Sequence, residues 1–408
     1  MRFLIIAQDG GSSLHGMVYR PYYLAKYLVR QGHKVCVMAA QYSHLRRRNP
    51  ECSGIETIDG IEYHWLPSMK YSSMAMRAIN VLWVALLLWL RASRIARQFR
   101  PDVVVLSSPY PFHIYGAERI ARAVGAQLVF EVRDLWPLTL IELGKISPSH
   151  PYVRLMGAAE RHAYRVADRV VSVLPAADEY MIREGMSPGK FAYIPNGIDP
   201  EEWSEGEGVL PNELIEAINV ARLQGRFIVG YLGAHGLANS LEPLLRAVAE
   251  ASDVPVTLLM VGHGPEKEML RALAEHELAI EAVFLEPIPK SLVPSFLRKI
   301  DAAYLGWLPN PLYRYGISAN KMMDYLMAGV PVIHATDAVN DPIADAGAGV
   351  SVTPGSVHEI AGAIRKLHSL SAEERLAMGN RAKEHATNFF GYPVLIQRYL
   401  QLVEHGEE

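Results

Sequence analysis

The sequence has only two cysteines, Cys36 and Cys52, in 408 residues. That excludes a disulfide-built scaffold and fits a reducing compartment. No run reaches the roughly 18–20 consecutive apolar residues expected of a membrane span. Met1–Asp9 turns polar too early for a secretion signal and reads as a first strand, so a cytoplasmic globular protein is expected. There is no Asp-x-Asp, and Asp301 stands alone at its strand, so no metal or other cofactor is expected. A strong excess of one charge is missing too: the net formal charge is −3, and no nucleic-acid partner is expected.

What is present is enough apolar material for large cores. Half the residues are hydrophobic, which excludes disorder, and at about 100–200 residues per domain the length implies two or three domains. The small net charge is unevenly divided. Residues 1–100 carry +9, residues 101–200 carry −1, and the remainder carries −11. Either two domains face different partners or the balance drifts between two solvated surfaces.

Short apolar runs alternate with longer helical stretches, the pattern of layered parallel α/β structure. Strands are predicted at Phe3–Ala7, Lys34–Met38, Val103–Leu106, Leu128–Val132, Val170–Leu174 and Ala192–Ile194 in the first half. In the second half they fall at Phe227–Leu232, Val256–Val261, Val283–Leu285, Ala302–Leu305, Val332–His334 and Gly349–Val352. Pro200–Gly225, with Glu201, Glu202, Glu205, Gly206, Glu207, Gly208 and Pro211, reads as a linker. The expected domains are therefore 1–205 and 206–388, with a helix in 389–408 returning to the first. In doubly wound sheets ligands sit beyond the carboxyl ends of the strands, so the loops there, around a cleft between the halves, are the candidate site.

Five such loops carry chemistry. Gly10-Gly11 ends the first strand before a helix that Pro21 opens and Gly32 closes; it is either a tight turn or a backbone nest for an anion. Arg133-Asp134 follows the fourth strand. The two form a structural ion pair, or else they face the cleft, where Arg133 can clamp a phosphate and Asp134 can accept a proton. Gly230–Gly236 joins a buried strand to a helix and has room for a diphosphate, with His235 as a donor to it or as a surface residue; its spacing is not the dinucleotide fingerprint. Val261–Glu266, with Gly264, is a second glycine turn beside it. Most informative is Tyr313–Pro331. Ser318 or Asn320 is suited to cap a helix from Lys321 to Ala328, and the N–H groups from Ile317 to Lys321 would face an anion. Lys321 adds a full charge, and Asp324 is placed to accept from ribose hydroxyls; a purely structural cap is the alternative.

Through these segments, and through Ile194–Asp199, the sequence resembles glycosyltransferase family 4 over nearly its whole length. The wording of Phe130–Pro137 and Tyr315–Asp324 is most similar to enzymes that build bacterial O-antigen, capsule and exopolysaccharide. The resemblance implies the GT-B fold, two Rossmann-like domains facing a central cleft, and transfer with retention of anomeric configuration. It implies a nucleotide diphosphate sugar donor, UDP by family frequency and possibly of N-acetylhexosamine type, and a lipid-linked saccharide acceptor. The family's two glutamates, eight positions apart, fall on Gly316 and Asp324, so the carboxylate at the donor sugar is lost and the one at the ribose is kept. The family's histidine after the fourth strand falls on Arg133, and Asp134 matches. The resemblance implies that Gly11, Gly233 and Gly264 border the donor and that the backbone near Ile288 reads its base. The family's diphosphate-binding Arg and Lys have no counterpart in Gly233–Ser240, so Lys321, His235, Arg133 and helix N-termini are expected to replace them.

The basic first quarter holds one more feature. Ala78–Leu90 is mostly apolar, contains Trp83 and Trp89, and is followed by Arg91 and Arg94. It is too short to span a bilayer. It is either a buried helix or a helix lying on an anionic membrane surface, the inner membrane's cytoplasmic face, where a lipid-linked acceptor would be met. The competing readings are a nucleotide-sugar epimerase or hydrolase of the same fold, which needs no acceptor, and a non-catalytic nucleotide-sugar-binding protein.

Overall fold

The computed structural model describes residues 1–16, 19–203 and 208–404. The chain forms two compact units, Met1–Pro195 with Tyr392–Glu408, and Asn196–Gly391. Glu205, Gly206 and Glu207, and with them the expected 205/206 boundary, lie outside the described residues, as do residues 405–408.

The first unit holds eight strands: β1 (Arg2–Ile6), β2 (Lys34–Ala40), β3 (Gly54–Ile58), β4 (Ile61–Leu66), β5 (Val103–Ser107), β6 (Gln127–Val132), β7 (Arg169–Ser172) and β8 (Phe191–Tyr193). Their order is β3-β4-β2-β1-β5-β6-β7-β8, parallel except for β3 against β4. The sequence reading missed the β3–β4 hairpin. Its turn is Asp59-Gly60, both at positive φ, the residue pair that a tight hairpin turn selects. Helix α1 (Arg20–Arg30) covers one face, packing Tyr22, Leu24 and Leu28 with Val35, Val37 and Tyr63. The helix Tyr392–Glu404 adds Tyr392, Leu395, Ile396, Tyr399 and Leu400 to the same core.

Helix α2 (Met74–Phe99) is longer than the expected Ala78–Leu90 and is, by length and composition, apolar enough to cross a membrane. One face packs into the unit, with Val84 against Ala40 and Leu66, and Val81, Leu88, Ala92 and Ile95 buried. The other face is exposed and apolar: Met76, Ile79, Trp83, Leu86 and Leu90 recur at helical spacing. Helix α3 (Ile114–Val124) packs beside it, and Gly116 is needed there because a Cβ would meet Leu88 Cγ at 2.7 Å.

The second unit is a wholly parallel sheet of β9 (Phe227–Leu232), β10 (Val256–Val261), β11 (Ala282–Leu285), β12 (Ala302–Gly306), β13 (Val332–Ala335) and β14 (Gly349–Val352), ordered β11-β10-β9-β12-β13-β14. Both units are thus Rossmann-like α/β layers, as expected. The expected linker is largely a helix, Asn212–Leu223. Its Leu214, Ile218 and Ala221 enter the core with Trp203 and Leu210. Burying Leu214 and Ile218 contributes on the order of 1.5–3 kcal/mol each, which outweighs the polar composition that suggested a linker. Strand order reverses between β9 and β12, so the loops leaving their carboxyl ends open the ligand crevice of this unit.

Candidate functional site

The site of the second unit is assembled by one helix docked on the end of one strand. In the helix Asn320–Ala328, Met322, Met323 and Leu326 enter the core. The Tyr325 hydroxyl accepts from Leu232 N–H at 3.0 Å, fixing the helix to the end of β9. Lys321 lies four residues earlier, on the same helix face, and so reaches the loop that follows β9. Its ammonium donates to Tyr231 Oη at 3.0 Å and to Asn239 Oδ1 at 2.5 Å. Tyr231 Oη and Asn239 Nδ2 both donate to the Ala234 carbonyl, at 2.7 and 2.9 Å, closing a ring of polar contacts around the glycine turn. Burial, with no carboxylate partner among the described residues, lowers the Lys321 amine to about 7.

Two glycine turns meet backbone to backbone. A Cβ on Gly262 would fall 1.8 Å from the Gly233 carbonyl oxygen, and one on Gly264 would fall 2.2 Å from that of His235. His235 N–H donates to the His263 carbonyl, and Glu266 N–H to the His235 carbonyl. The His235 ring is fully buried and neither nitrogen has a hydrogen-bond partner among the described residues. Burial first, then the charges of Lys267, His263 and Lys321, lower it to about 4. The expectation that His235 supplies positive charge is therefore corrected: near pH 7 it is a neutral ring with an unused N–H. Lys267, which the sequence reading missed, is buried and clips this turn to β11 through the Gly262 and Leu285 carbonyls and Glu286.

The loop carrying Ile288 is held at both ends. Glu286 Oε1 accepts from Lys267 at 2.7 Å, and Lys290 donates to Asp324 Oδ1. Asp324 is buried. Burial raises its carboxyl, and the Lys290 charge opposes the rise. The carboxylate assigned to ribose thus already has one oxygen on Lys290, and through it fixes the Ile288 loop.

Neither expected cap forms at the helix start. The N-cap is Ala319, which has no side-chain bond. The Ser318 hydroxyl instead accepts from Asn196 N–H at 2.9 Å, and Asn196 Nδ2 donates to the Ser318 carbonyl at 2.5 Å. The Asn340 side-chain amide clamps Ile317, accepting its N–H at 2.8 Å and donating to its carbonyl at 3.0 Å. The Ile317 N–H is spent there and drops out of the set facing an anion; Asn320 opens the helix and is exposed. Gly316 has φ +103 and ψ 177, a backbone region that only glycine enters readily, so the glutamate missing here is excluded by the local fold.

The structure therefore brings together Lys321, Gly233, His235 and Gly264, with Gly316, Ile317, Ser318 and Asn320 leading into the same helix and Asp324 bracing the Ile288 loop. Gly11, Arg133, Asp134, Trp83, Trp89, Arg91 and Arg94 belong to the first unit. There, the Gly11 carbonyl accepts from Tyr63 Oη at 3.0 Å. Asp134 Oδ1 accepts from Leu135 N–H and Thr139 Oγ1, so it closes its own turn, and no ion pair joins it to Arg133 among the described residues. The Arg133 guanidinium has no hydrogen bond or ion pair among the described residues, and burial lowers its pKa. Arg46, another cation of the basic first quarter, is buried, donates to the Gln8 and Ala40 carbonyls and stacks on Trp65.

Residues 15–197 match the glycosyl transferase 4-like domain, and residues 226–369 match glycosyl transferases group 1. The chain is a glycosyltransferase of GT-B type. Among solved structures it is similar to sucrose-phosphate synthase from Thermosynechococcus elongatus, with TM-score 0.73, 14% identity, and 99% and 98% of the two chains covered. HepE from Anabaena, in complex with UDP-glucose, superposes with TM-score 0.66 at 16% identity, covering 99% of each chain. WaaG, a glycosyltransferase involved in lipopolysaccharide biosynthesis, gives TM-score 0.66 and 16% identity over 99% of this chain and all of that one. No curated protein matches the glycosyltransferase by sequence.

Proposed function

We propose that the glycosyltransferase is a retaining, metal-independent enzyme of the family 4 kind that moves a sugar from a UDP-sugar to a lipid-linked saccharide in cell-surface polysaccharide synthesis. The observation that carries this reading is the Lys321 amine, buried beside two interlocked glycine turns and an unpartnered histidine ring. A buried amine with no carboxylate partner awaits an anion, and a leaving diphosphate supplies one. The acceptor oxygen bonds to the anomeric carbon on the face from which the diphosphate departs. The bond from that carbon to the phosphate oxygen breaks, and the acceptor's proton passes to that oxygen. Lys321 and the His235 N–H stabilise the charge of the leaving group, and no carboxylate nucleophile is needed, in keeping with Gly316. Arg133 is the cation that the first unit offers to a substrate.

HepE in its UDP-glucose complex supports a UDP-sugar donor, and WaaG supports an acceptor of the lipopolysaccharide kind. The exposed stripe of α2, with Arg91, Arg94 and Arg97 at its end, supports residence on the cytoplasmic face of an anionic membrane. The test is sugar transfer from a panel of UDP-sugars to a polyprenyl-diphosphate-linked saccharide in the presence of EDTA. The expected product keeps the donor's anomeric configuration and forms only with acceptor. An inverted product, or equal sugar release without acceptor, overturns the reading.

A further inference from the structure

Strand β2 and the hairpin strand β4, which pair in parallel, also align three metal-ligating side chains. In the β2–β4 register Cys36 lies opposite Glu62, and Met38 opposite His64. Side chains alternate across a sheet, so Cys36, Glu62 and His64 share one face, the face on which Ala40 and Leu66 pack against Val84 of α2. One thiol, one carboxylate oxygen and one imidazole nitrogen lie within 4.8 Å of one another. His64 Nε2 is already 2.5 Å from Glu62 Oε1.

We propose that Cys36, Glu62 and His64 form a three-ligand site for a thiophilic divalent cation of the zinc class, joining β2 to the β3–β4 hairpin. Sulfur, nitrogen and carboxylate oxygen are zinc's usual donor set, and a thiolate disfavours magnesium and calcium. Bond lengths of about 2.0–2.3 Å in a tetrahedron put ligand atoms roughly 3.3–3.8 Å apart. The His64–Glu62 contact must open by about an ångström and the widest separation, at most 4.8 Å, must close by about as much, both within reach of small side-chain rotations. Glu62 and His64 can supply it, because their side chains are 45% and 23% exposed, while Cys36 is fully buried. Their exposure also gives the cation its entry path and leaves water the fourth position.

Binding is a ligand exchange without redox change: the cation bonds to the Cys36 sulfur, the thiol proton leaves to solvent, and His64 trades its contact with Glu62 for the metal. Metal binding at a thiol releases its proton, so uptake of the cation is accompanied by acid release. Cys36 is the third of the seven residues of β2, inside the strand rather than in the loop that leaves its carboxyl end, and the cation's role is to join β2 to the hairpin rather than to act in transfer.

The test uses the full chain, reduced, with exposed Cys52 replaced by serine, titrated with Co²⁺. The expected result is one equivalent bound, with thiolate-to-cobalt charge-transfer absorbance that Zn²⁺ abolishes. Cys36→Ser removes the absorbance. His64→Gln, at a partly exposed position that tolerates change, weakens binding by roughly tenfold or more through loss of one ligand of three and shrinks the rise in melting temperature that Zn²⁺ gives the parent. No charge-transfer absorbance in the parent, an undiminished band in folded Cys36→Ser, or unchanged affinity in His64→Gln overturns the proposal.

Discussion

Lys321 Nζ stands 2.5 Å from Asn239 Oδ1, joining the helix Asn320–Ala328 to the end of the turn that follows β9. Tyr231 takes a second N–H, so among the described residues one of the three remains for a ligand. The amine is aimed before any donor arrives, and preorganised charge is what stabilises a leaving group without reorganisation.

Lys321→Ala is expected to lower kcat/KM by roughly 10²–10³-fold, the scale for removing one preorganised group that stabilises developing charge. Steady-state kinetics with the best UDP-sugar, alongside circular dichroism to show an intact fold, checks this. Unchanged kcat and donor affinity would remove Lys321 from the site.

Because the free amine sits at about 7, donor affinity is expected to be flat below that pH and to weaken by up to tenfold per pH unit above it. A diphosphate raises the amine's pKa, so binding near pH 8 takes up a proton, which calorimetry in buffers of different ionisation enthalpy detects. His235→Gln should keep this profile between pH 5 and 8, since that ring is already neutral. The same amine binds more protons unfolded than folded between about 7 and its ordinary value of 10.5, so its burial cost shrinks as pH rises through that window.

Gly316→Glu restores the residue that the family resemblance places there, yet it is expected to cost activity. At φ +103 a side chain imposes about 1–3 kcal/mol of backbone strain, visible as a lower urea midpoint. Higher transfer activity in this variant would show that the segment relaxes to accept a carboxylate.

Asn340→Ala leaves the buried Ile317 N–H and carbonyl without their amide partner. The expected loss is about 1–3 kcal/mol of unfolding free energy, with weaker donor binding because the clamped segment leads into the Lys321 helix. Asn196→Ala removes only the side-chain bond to the Ser318 carbonyl, because the N–H that Ser318 Oγ accepts belongs to the backbone, so a smaller loss is expected. Donor affinity equal to the parent's in both variants would reduce these clamps to stability alone.

Trp83→Asp with Leu86→Asp is expected to abolish co-sedimentation with anionic vesicles while leaving UDP-sugar affinity unchanged. Parent binding should also weaken in high salt, because the arginines at the end of α2 act through screened charge. Equal sedimentation of parent and variant would dissociate α2 from the membrane.

Most of the fold was legible because parallel strands buried on both faces read as unbroken apolar runs, as in Val103–Leu106 and Phe227–Leu232. The β3–β4 hairpin was not, since β3 is largely exposed and carries Glu56 and Thr57 where an apolar run was sought. The helix Asn212–Leu223 hid behind the glutamates before it, although Pro211 marks its start and Leu214, Ile218 and Ala221 its buried stripe. In the site, glycine turns and Lys321 announced themselves locally. The Asn196–Ser318 and Asn340–Ile317 clamps and the Lys290–Asp324 pair join residues distant in sequence, and no local pattern encodes such pairings.

Tyr392 stacks on Tyr23 with ring centres 4.8 Å apart, so α1, near the start of the chain, is completed by its last helix. During synthesis the first unit waits for residues made after the whole second unit, whereas Asn196–Gly391 is contiguous and has its core beforehand. Until the helix Tyr392–Glu404 has left the ribosome, the surface of α1 that Tyr392, Leu395 and Ile396 will cover is open to chaperones or to another nascent chain. The order of maturation therefore runs opposite to the order of translation.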